Sequence, residues 1–183
     1  MALDPEPAFA IWLTGLPSSG KSTIAARLTD ALAERGVKAV VLESDALRTI
    51  LTPNPRYDEQ ERDLFYQQMA DLGALFAESG VPVIFDATAQ RRAYRDRARA
   101  RVPRFAEIYV ACPLEICMAR DPKGIYERAL HNPGGQPRAG TVPGLQSEYE
   151  PPADPELTIH ADTETPETAV ERIVARLIEL GFC

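Results

Sequence analysis

The sequence predicts an α/β fold, a three-layer sandwich with a five-stranded parallel sheet and helices on both faces, in one domain spanning residues 1–183. Three observations carry this expectation. Five short apolar stretches, several rich in β-branched residues, alternate with segments of helical periodicity. The first stretch runs straight into Gly15-Leu16-Pro17-Ser18-Ser19-Gly20-Lys21-Ser22-Thr23, which fits G-x-x-x-x-G-K-S/T, a phosphate-cradling loop between a strand and a helix. The 183 residues suit one core, and no internal repeat is visible.

Phe9–Thr14 reads as the first, buried strand. After the loop, Ile24, Leu28, Ala31 and Leu32 fall at helical spacing and Gly36 supplies the stop. Val37–Glu43 is the second strand, followed by Ser44-Asp45-Ala46-Leu47-Arg48 in a short helical turn, with Asp45 as a possible cap for Ala46–Ile50. Pro53-Asn54-Pro55 breaks the chain. Residues 58–79 read as a long helix with Leu64, Phe65, Met69, Leu72 and Phe76 on one face and Gly80 at its end. Val81–Asp86 is the third strand, with Pro82 at its start, where a missing N–H is tolerated. A helix over about 90–102, a strand at Phe105–Ala111 and a helix from Pro113 to about Arg120 follow. Asp121-Pro122-Lys123-Gly124 interrupts that helix, and Ile125–Leu130 resumes it.

Between Asn132 and Gly144 seven of thirteen residues are Pro or Gly, so 131–155 is expected to be a long loop, part of a mobile lid at about 121–155. Glu156–Ala161 is the fifth strand. Thr165 caps a last helix with Pro166 at its first position and Ile173, Val174, Leu177 and Ile178 on its buried side.

Composition narrows the function. No apolar run approaches a membrane span, and the acidic, Pro-rich start Met1–Pro7 does not read as a signal peptide. Cys112, Cys117 and Cys183 form no metal-ligand pattern and read as reduced cysteines of a cytoplasmic protein. A net charge of −7 argues against nucleic acid as a partner. Against that balance, residues 91–104 hold seven arginines, readable as a solvated helix face, as a site where one or two residues near the helix start meet an anionic substrate, or, least well, as a polynucleotide-binding face.

In a parallel sheet, ligands sit outside the carboxyl ends of the strands, where Gly15, Asp45, Asp86 and Ala111-Cys112 emerge. Gly15 and Gly20 let backbone N–H groups turn inward on phosphate oxygens, and the next helix aims its positive end at the same point. Lys21 reaches the β- and γ-phosphates, and the Ser22 hydroxyl suits Mg²⁺. Asp86, ending an apolar strand, is either a carboxylate that meets Mg²⁺ through water or a cap for the arginine-rich helix. Phosphoryl transfer to a hydroxyl needs a carboxylate to orient the acceptor and take its proton; Asp45 is the candidate. Arg120 and Lys123 flank a Pro-Gly turn and either fold over the nucleotide or are ordinary surface charges. No guanine-reading Asn-Lys-x-Asp motif is present.

Four stretches carry a resemblance: Gly15–Thr23; Leu42-x-x-Asp45-x-x-Arg48; Arg120-Asp121-Pro122-Lys123-Gly124-Ile125-Tyr126; and Pro143-Gly144-Leu145-x-x-x-Tyr149-Glu150-x-Pro152. Together they resemble adenylylsulfate (APS) kinase from about residue 9 to the C-terminus, the Asp-Pro-Lys-Gly-Ile-Tyr stretch most specifically. The resemblance implies a P-loop kinase fold, a homodimer, ATP with Mg²⁺ as donor, and the 3′-hydroxyl of APS as the small-molecule acceptor. It assigns Asp45 as the acceptor-side aspartate, Arg48 and Arg62 as arginines that hold APS, Tyr57 near an adenine-stacking position and Arg120 as a nucleotide-lid arginine. Beside these, the reading of the residues themselves adds Thr88, Arg92 and Lys123 as candidate substrate contacts.

Departures gather there. Glu43-Ser44-Asp45 stands for the usual Asp-Gly-Asp, Phe65 for an Asn that contacts APS, and Gln67 and Gln68 for arginines. Ala87-Thr88-Ala89-Gln90 replaces Phe-Ile-Ser-Pro, so Ala89 cannot carry the phosphate assigned to that serine. Gly140-Thr141-Val142-Pro143-Gly144 replaces a lid motif that brings a second stacking aromatic. Three functions therefore stand: a kinase acting on APS, the same chemistry on another small hydroxyl acceptor, and a nucleotide-binding regulatory domain without turnover.

Overall fold

The computed structural model describes residues 7–56, 58–131 and 141–183. Its elements run β1 (Ala10–Thr14), α1 (Lys21–Ala33), β2 (Val40–Glu43), α2 (Ser44–Leu51), α3 (Glu59–Glu78), β3 (Val83–Asp86), α4 (Arg92–Arg101), β4 (Phe105–Ala111), α5 (Leu114–Arg120), α6 (Ile125–His131), β5 (Leu157–His160) and α7 (Pro166–Glu179). The sheet order is β2-β3-β1-β4-β5 and every pairing is parallel, as the sequence predicts.

β1 is central and buried on both faces, which is why it reads as a continuous apolar run rather than an alternating one. The period-2 rule still sorts its side chains. Ile11 and Leu13 face α1 and α7 with Leu28, Ile173 and Leu177, whereas Ala10 and Trp12 face α3 and α4 with Phe65, Met69 and Ala98. Trp12 stacks on Phe85 at 4.4 Å and donates its buried indole N–H to Ala87 O at 3.0 Å, so one side chain fixes both the core and the exit of β3.

Most ends of the helices obey the expected signals. Gly36 and Gly80 stand at φ 79° after α1 and α3, Asp58 caps α3 through Glu61 N–H at 2.9 Å, and Thr165 caps α7 with Pro166 at its start. Some expectations fail. Glu43, not Asp45, caps α2, accepting from Ala46 N–H at 2.9 Å, because the helix begins two residues earlier than expected and leaves Asp45 inside its first turn. Pro113 caps α5 instead of opening it. α4 starts at Arg92 after Arg91, so Asp86 caps nothing there. Leu64 and Ile178 are exposed, each displaced from its helix's buried stripe. The Pro/Gly-rich stretch falls partly on 132–140, outside the described residues, as do residues 1–6 and Tyr57.

The arginine-rich helix is held by carboxylates distant in sequence. Arg91–Glu59, Arg97–Asp63 and Arg101–Asp71 bridge α4 to α3 at 2.7, 2.9 and 2.5 Å, while Arg99 grips Glu156 with two bonds of 2.6 and 2.8 Å. Exposed pairs of this kind contribute roughly 0–1 kcal/mol each, so they set how the helices seat more than how stable they are. Among the described residues, no helix is long and apolar enough to cross a membrane.

Gly73 shows how closely α3 meets the sheet: a Cβ there would lie 2.0 Å from Phe85 Cζ. Alanine favours a helix over glycine by about 1 kcal/mol, but Phe85 is fully buried and held by the Trp12 stack, so overpacking outweighs the gain. Gly73→Ala is expected to lower unfolding free energy by about 1–2 kcal/mol, seen as a reduced denaturant midpoint at unchanged slope.

Candidate active site

The carboxyl ends of the strands open on a cavity of about 580 Å³. Register places its groups: Leu13 and Glu43 both pair with Asp86, so the starts of the phosphate loop and of α2 flank the end of β3.

Gly15 has no room for a side chain; at φ 154° its Cβ would lie 2.4 Å from Val110 O. Ser18 (φ 62°) and Gly20 (φ 106°) also take positive φ, the alternation that curls successive N–H groups into a nest. Gly20 caps α1 without any side-chain acceptor, so the first-turn amides of that helix have no side chain competing for them. Ser19 Oγ is buried and lacks a hydrogen-bond partner. These are features of a site shaped for an oxyanion. Tyr126 of α6, fully buried, donates its hydroxyl to Pro17 O at 2.9 Å and steadies the loop from outside; burial raises its phenol above the ordinary range.

Lys21 is buried and donates to Gly15 O at 3.0 Å and Leu16 O at 2.7 Å. Gly15 and Leu16 thus hold the lysine, while Pro17, Ser18, Ser19, Gly20, Ser22 and Thr23 line the cavity beside it. Burial pulls its ammonium down to about 8, opposed chiefly by the nearby Asp86 carboxylate, with Asp45 adding less.

Asp86 is buried at the end of β3 and lines the cavity with Ser22. Among the described residues no group of three or more His, Cys, Asp or Glu side chains could hold a metal alone. A hydroxyl and one carboxylate fit Mg²⁺, which keeps several waters and takes oxygens from phosphates. Asp45 is mostly exposed and is held at 2.6 Å by Lys123 Nζ, which lies 3.7 Å from Glu43. The hydrogen bond to Asp45 raises the Lys123 ammonium, outweighing its desolvation. Arg120 lies along the wall, donating to Ala161 O at 2.7 Å.

The cavity thus gathers the loop, Asp45, Asp86, Thr88, Arg120 and Lys123. It does not include Arg48, Arg62 or Arg92. Arg48 lies 3.9 Å over the Phe65 ring and 4.0 Å from Glu61. Arg62 donates to Thr141 O at 3.1 Å, and Arg92 engages Glu150 through its backbone N–H at 2.8 Å and its side chain at 3.7 Å. Tyr57 lies outside the described residues.

Sequence reading missed a wall made by Ile159, Ala161, Glu164, Thr165, Pro166 and Ala169. The available signal was positional: a capped helix start just after the last parallel strand falls on the same edge as every other strand exit.

Comparison with known proteins agrees with this geometry. A family model described as adenylylsulphate kinase matches residues 7–160. The adenylyl-sulfate kinase of Rippkaea orientalis is 37% identical over 180 residues, covering 97% of this chain and 95% of that protein. A probable bifunctional SAT/APS kinase 2 of Sorangium cellulosum is 35% identical over 95% of this chain, which spans 29% of its length. The solved structure of the Mycobacterium tuberculosis APS kinase in complex with AMPPNP and APS superposes with a TM-score of 0.85 at 27% identity, covering 94% of this chain and 99% of that one. With a matching model over most of its length and a full-length relative at this identity, the chain belongs to the adenylylsulphate kinase family.

Proposed function

We propose that this chain is an ATP-dependent adenylylsulfate kinase, a single P-loop kinase domain with a lid at about 121–155 that converts APS and ATP to PAPS and ADP. The observation that carries it is the convergence, in one cavity, of a nest of amides with a buried lysine, two carboxylates from neighbouring strand ends and an arginine–lysine pair from the α5–α6 turn. In this reading the loop Gly15–Thr23 holds the triphosphate, Lys21 neutralises charge on the transferred group, and Arg120 covers the nucleotide. Ser22 and Asp86 would hold Mg²⁺, which would supply further neutralisation. Asp45 takes the acceptor proton. Arg48, Tyr57, Arg62, Thr88, Arg92 and Lys123 receive the acceptor, Lys123 passing from Asp45 to the substrate. We place the enzyme in the cytoplasm, as a homodimer, acting on a small molecule and on neither nucleic acid nor membrane.

Coupled ADP release by purified protein tests this: APS is expected to stimulate it, with PAPS as product. Tight MgATP binding without APS stimulation would overturn APS as acceptor and favour another small alcohol. That second reading has an observation behind it. Ala89 is buried without a hydroxyl and Phe65 is buried beneath Arg48, so the acceptor side is built differently from the family pattern.

The lysine also gives a pH dependence. Its free-protein value of about 8 rises when phosphate oxygens surround the ammonium, so binding takes up a proton between the two values. MgATP affinity is therefore expected to be flat below pH 8 and to fall about tenfold per pH unit above it. Calorimetric titration between pH 7 and 9.5 checks this; flat affinity throughout would remove Lys21 as the titrating contact.

A further inference from the structure

We propose that Arg95 is a positioning residue that sets the acceptor side of the cleft by tying together three separate pieces of chain; the inference rests on the phosphotransfer reading above. Arg95 is fully buried in α4 and pairs with Glu107 in the middle of β4. One carboxylate does not use five guanidinium donors. The other nitrogens go to backbone carbonyls on two irregular segments: Nη1 donates to Ala89 O, and Nη2 to Glu150 O at 2.7 Å. The same two segments are joined again by Glu150 N–H to Gln90 O at 2.8 Å.

The ring closes through the start of the phosphate loop. Tyr149, its ring 5.8 Å from the Arg95 guanidinium, places its hydroxyl 3.0 Å from Thr14 Oγ1, and Thr14 donates to Thr88 O at 2.7 Å. Thr88 lines the cavity. Its neighbour Ala89 sits at φ 42°, a conformation a non-glycine residue keeps only where its surroundings hold it. The bonds from Arg95 to its carbonyl and from its N–H to Tyr66 Oη at 3.2 Å are those surroundings. Glu150 is in turn the root of the segment whose Thr141 carbonyl holds Arg62.

Stability alone does not explain this choice. A buried ion pair is often no better for folding than a well-packed apolar pair. What an apolar pair cannot do is donate in a rigid fork to two loop carbonyls at once. The geometry points to Arg95 acting on acceptor placement through Thr88 and the 141–150 segment, without touching the substrate.

Two variants separate this role from a merely structural one. Arg95→Lys keeps the charge and loses the fork. Arg95→Met combined with Glu107→Leu keeps a filled core and loses the donors. In either, the KM for APS is expected to rise about tenfold and kcat to fall by up to about a hundredfold, with MgATP dissociation within about twofold of wild type. Backbone hydrogen exchange should quicken at 88–90 and 149–150 but not in α1. A folded variant with wild-type APS kinetics overturns the proposal, as does equal loss of APS and ATP binding. If both variants fail to fold, Tyr149→Phe cuts the ring at Thr14 with its core intact. A smaller rise in the APS KM, about threefold, supports the role there, and an unchanged KM overturns it. Should the wild-type protein itself ignore APS, the acceptor reading fails separately, and hydrogen exchange still decides. Selective loss of protection at 88–90 and 149–150 in Arg95→Lys, or in Tyr149→Phe if that variant does not fold, upholds the positioning role; unchanged protection overturns it.

Discussion

Replacing Lys21 with methionine is expected to reduce turnover about a thousandfold or more and to leave the protein no less stable. The two halves of that result have one cause. Lys21 is buried against its own loop, donating to the carbonyls of Gly15 and Leu16, and burial pulls its ammonium down to about 8. A folded-state value below the unfolded one means that the charge costs stability at pH below 8, a cost that fades as pH rises from 8 towards 10.5. Methionine keeps the stem's volume and removes that cost, offset by the donor lost at Gly15 O, while Leu16 O keeps its bond from Ser19 N–H at 3.2 Å. In the proposed mechanism the same buried ammonium meets charge developing on a transferred phosphoryl, where losing one preorganised donor typically removes two to three orders of magnitude, and a full charge more. Thermal melts alongside steady-state turnover check both halves. An active Lys21→Met variant would contradict the role, and an unfolded one would contradict the energetics.

The second large effect is expected at Asp45. Asp45→Asn should lower kcat by about 10²–10⁴-fold, the usual range for a general base, while MgATP dissociation stays within about twofold. Stability should hardly change. The side chain is mostly exposed, it does not cap α2, and its ion pair with Lys123 is a surface one. Rapid-quench measurement of the chemical step, with nucleotide binding measured in parallel, separates this from a binding defect. Full activity in Asp45→Asn would leave the acceptor proton to another group, Glu43, Asp86 and Glu164 being the other carboxylates that line the cavity.

What was legible in the sequence was local. β1, the phosphate loop and α1 are written in contiguous residues, an apolar run, two glycines and a Lys-Ser pair, each with its own conformational consequence, and these elements appear where expected. The cap of α2 was missed by two positions because Asp45 is the better cap on paper, and only the exact start of the helix brings Glu43 onto Ala46 N–H instead. The arginines of α4 were opaque for a different reason. Their partners Glu59, Asp63 and Asp71 lie on α3 and Glu156 just before β5, so a run that resembles a polyanion site is mostly neutralised by tertiary packing that no local pattern encodes. Arg95 is the clearest case: nothing within the helix distinguishes it from Arg97 or Arg99, yet the topology buries it over Glu107 and aims it at two loops. The wall at Glu164–Ala169 carried only a positional signal, the capped helix start after the last parallel strand, and no side-chain motif marked it.

The acceptor-side substitutions share one physical pattern. Phe65 fills buried space and supports the Arg48 guanidinium, Ala89 is enclosed with both backbone groups bonded, and neither offers a polar side chain to a substrate. In the proposed function, recognition on that side falls to arginines held in place by aromatic and backbone contacts, a design suited to an anionic acceptor.

The most direct measurement follows the phosphate itself. Purified protein is incubated with Mg²⁺, APS and ATP labelled at the γ-position, and the products are separated and their phosphorus positions assigned. Label in the 3′-phosphate of PAPS, one for each ADP released and none with Lys21→Met, is the result expected of an adenylylsulfate kinase. ADP release that ignores APS, or label that never reaches its 3′-oxygen, would contradict it.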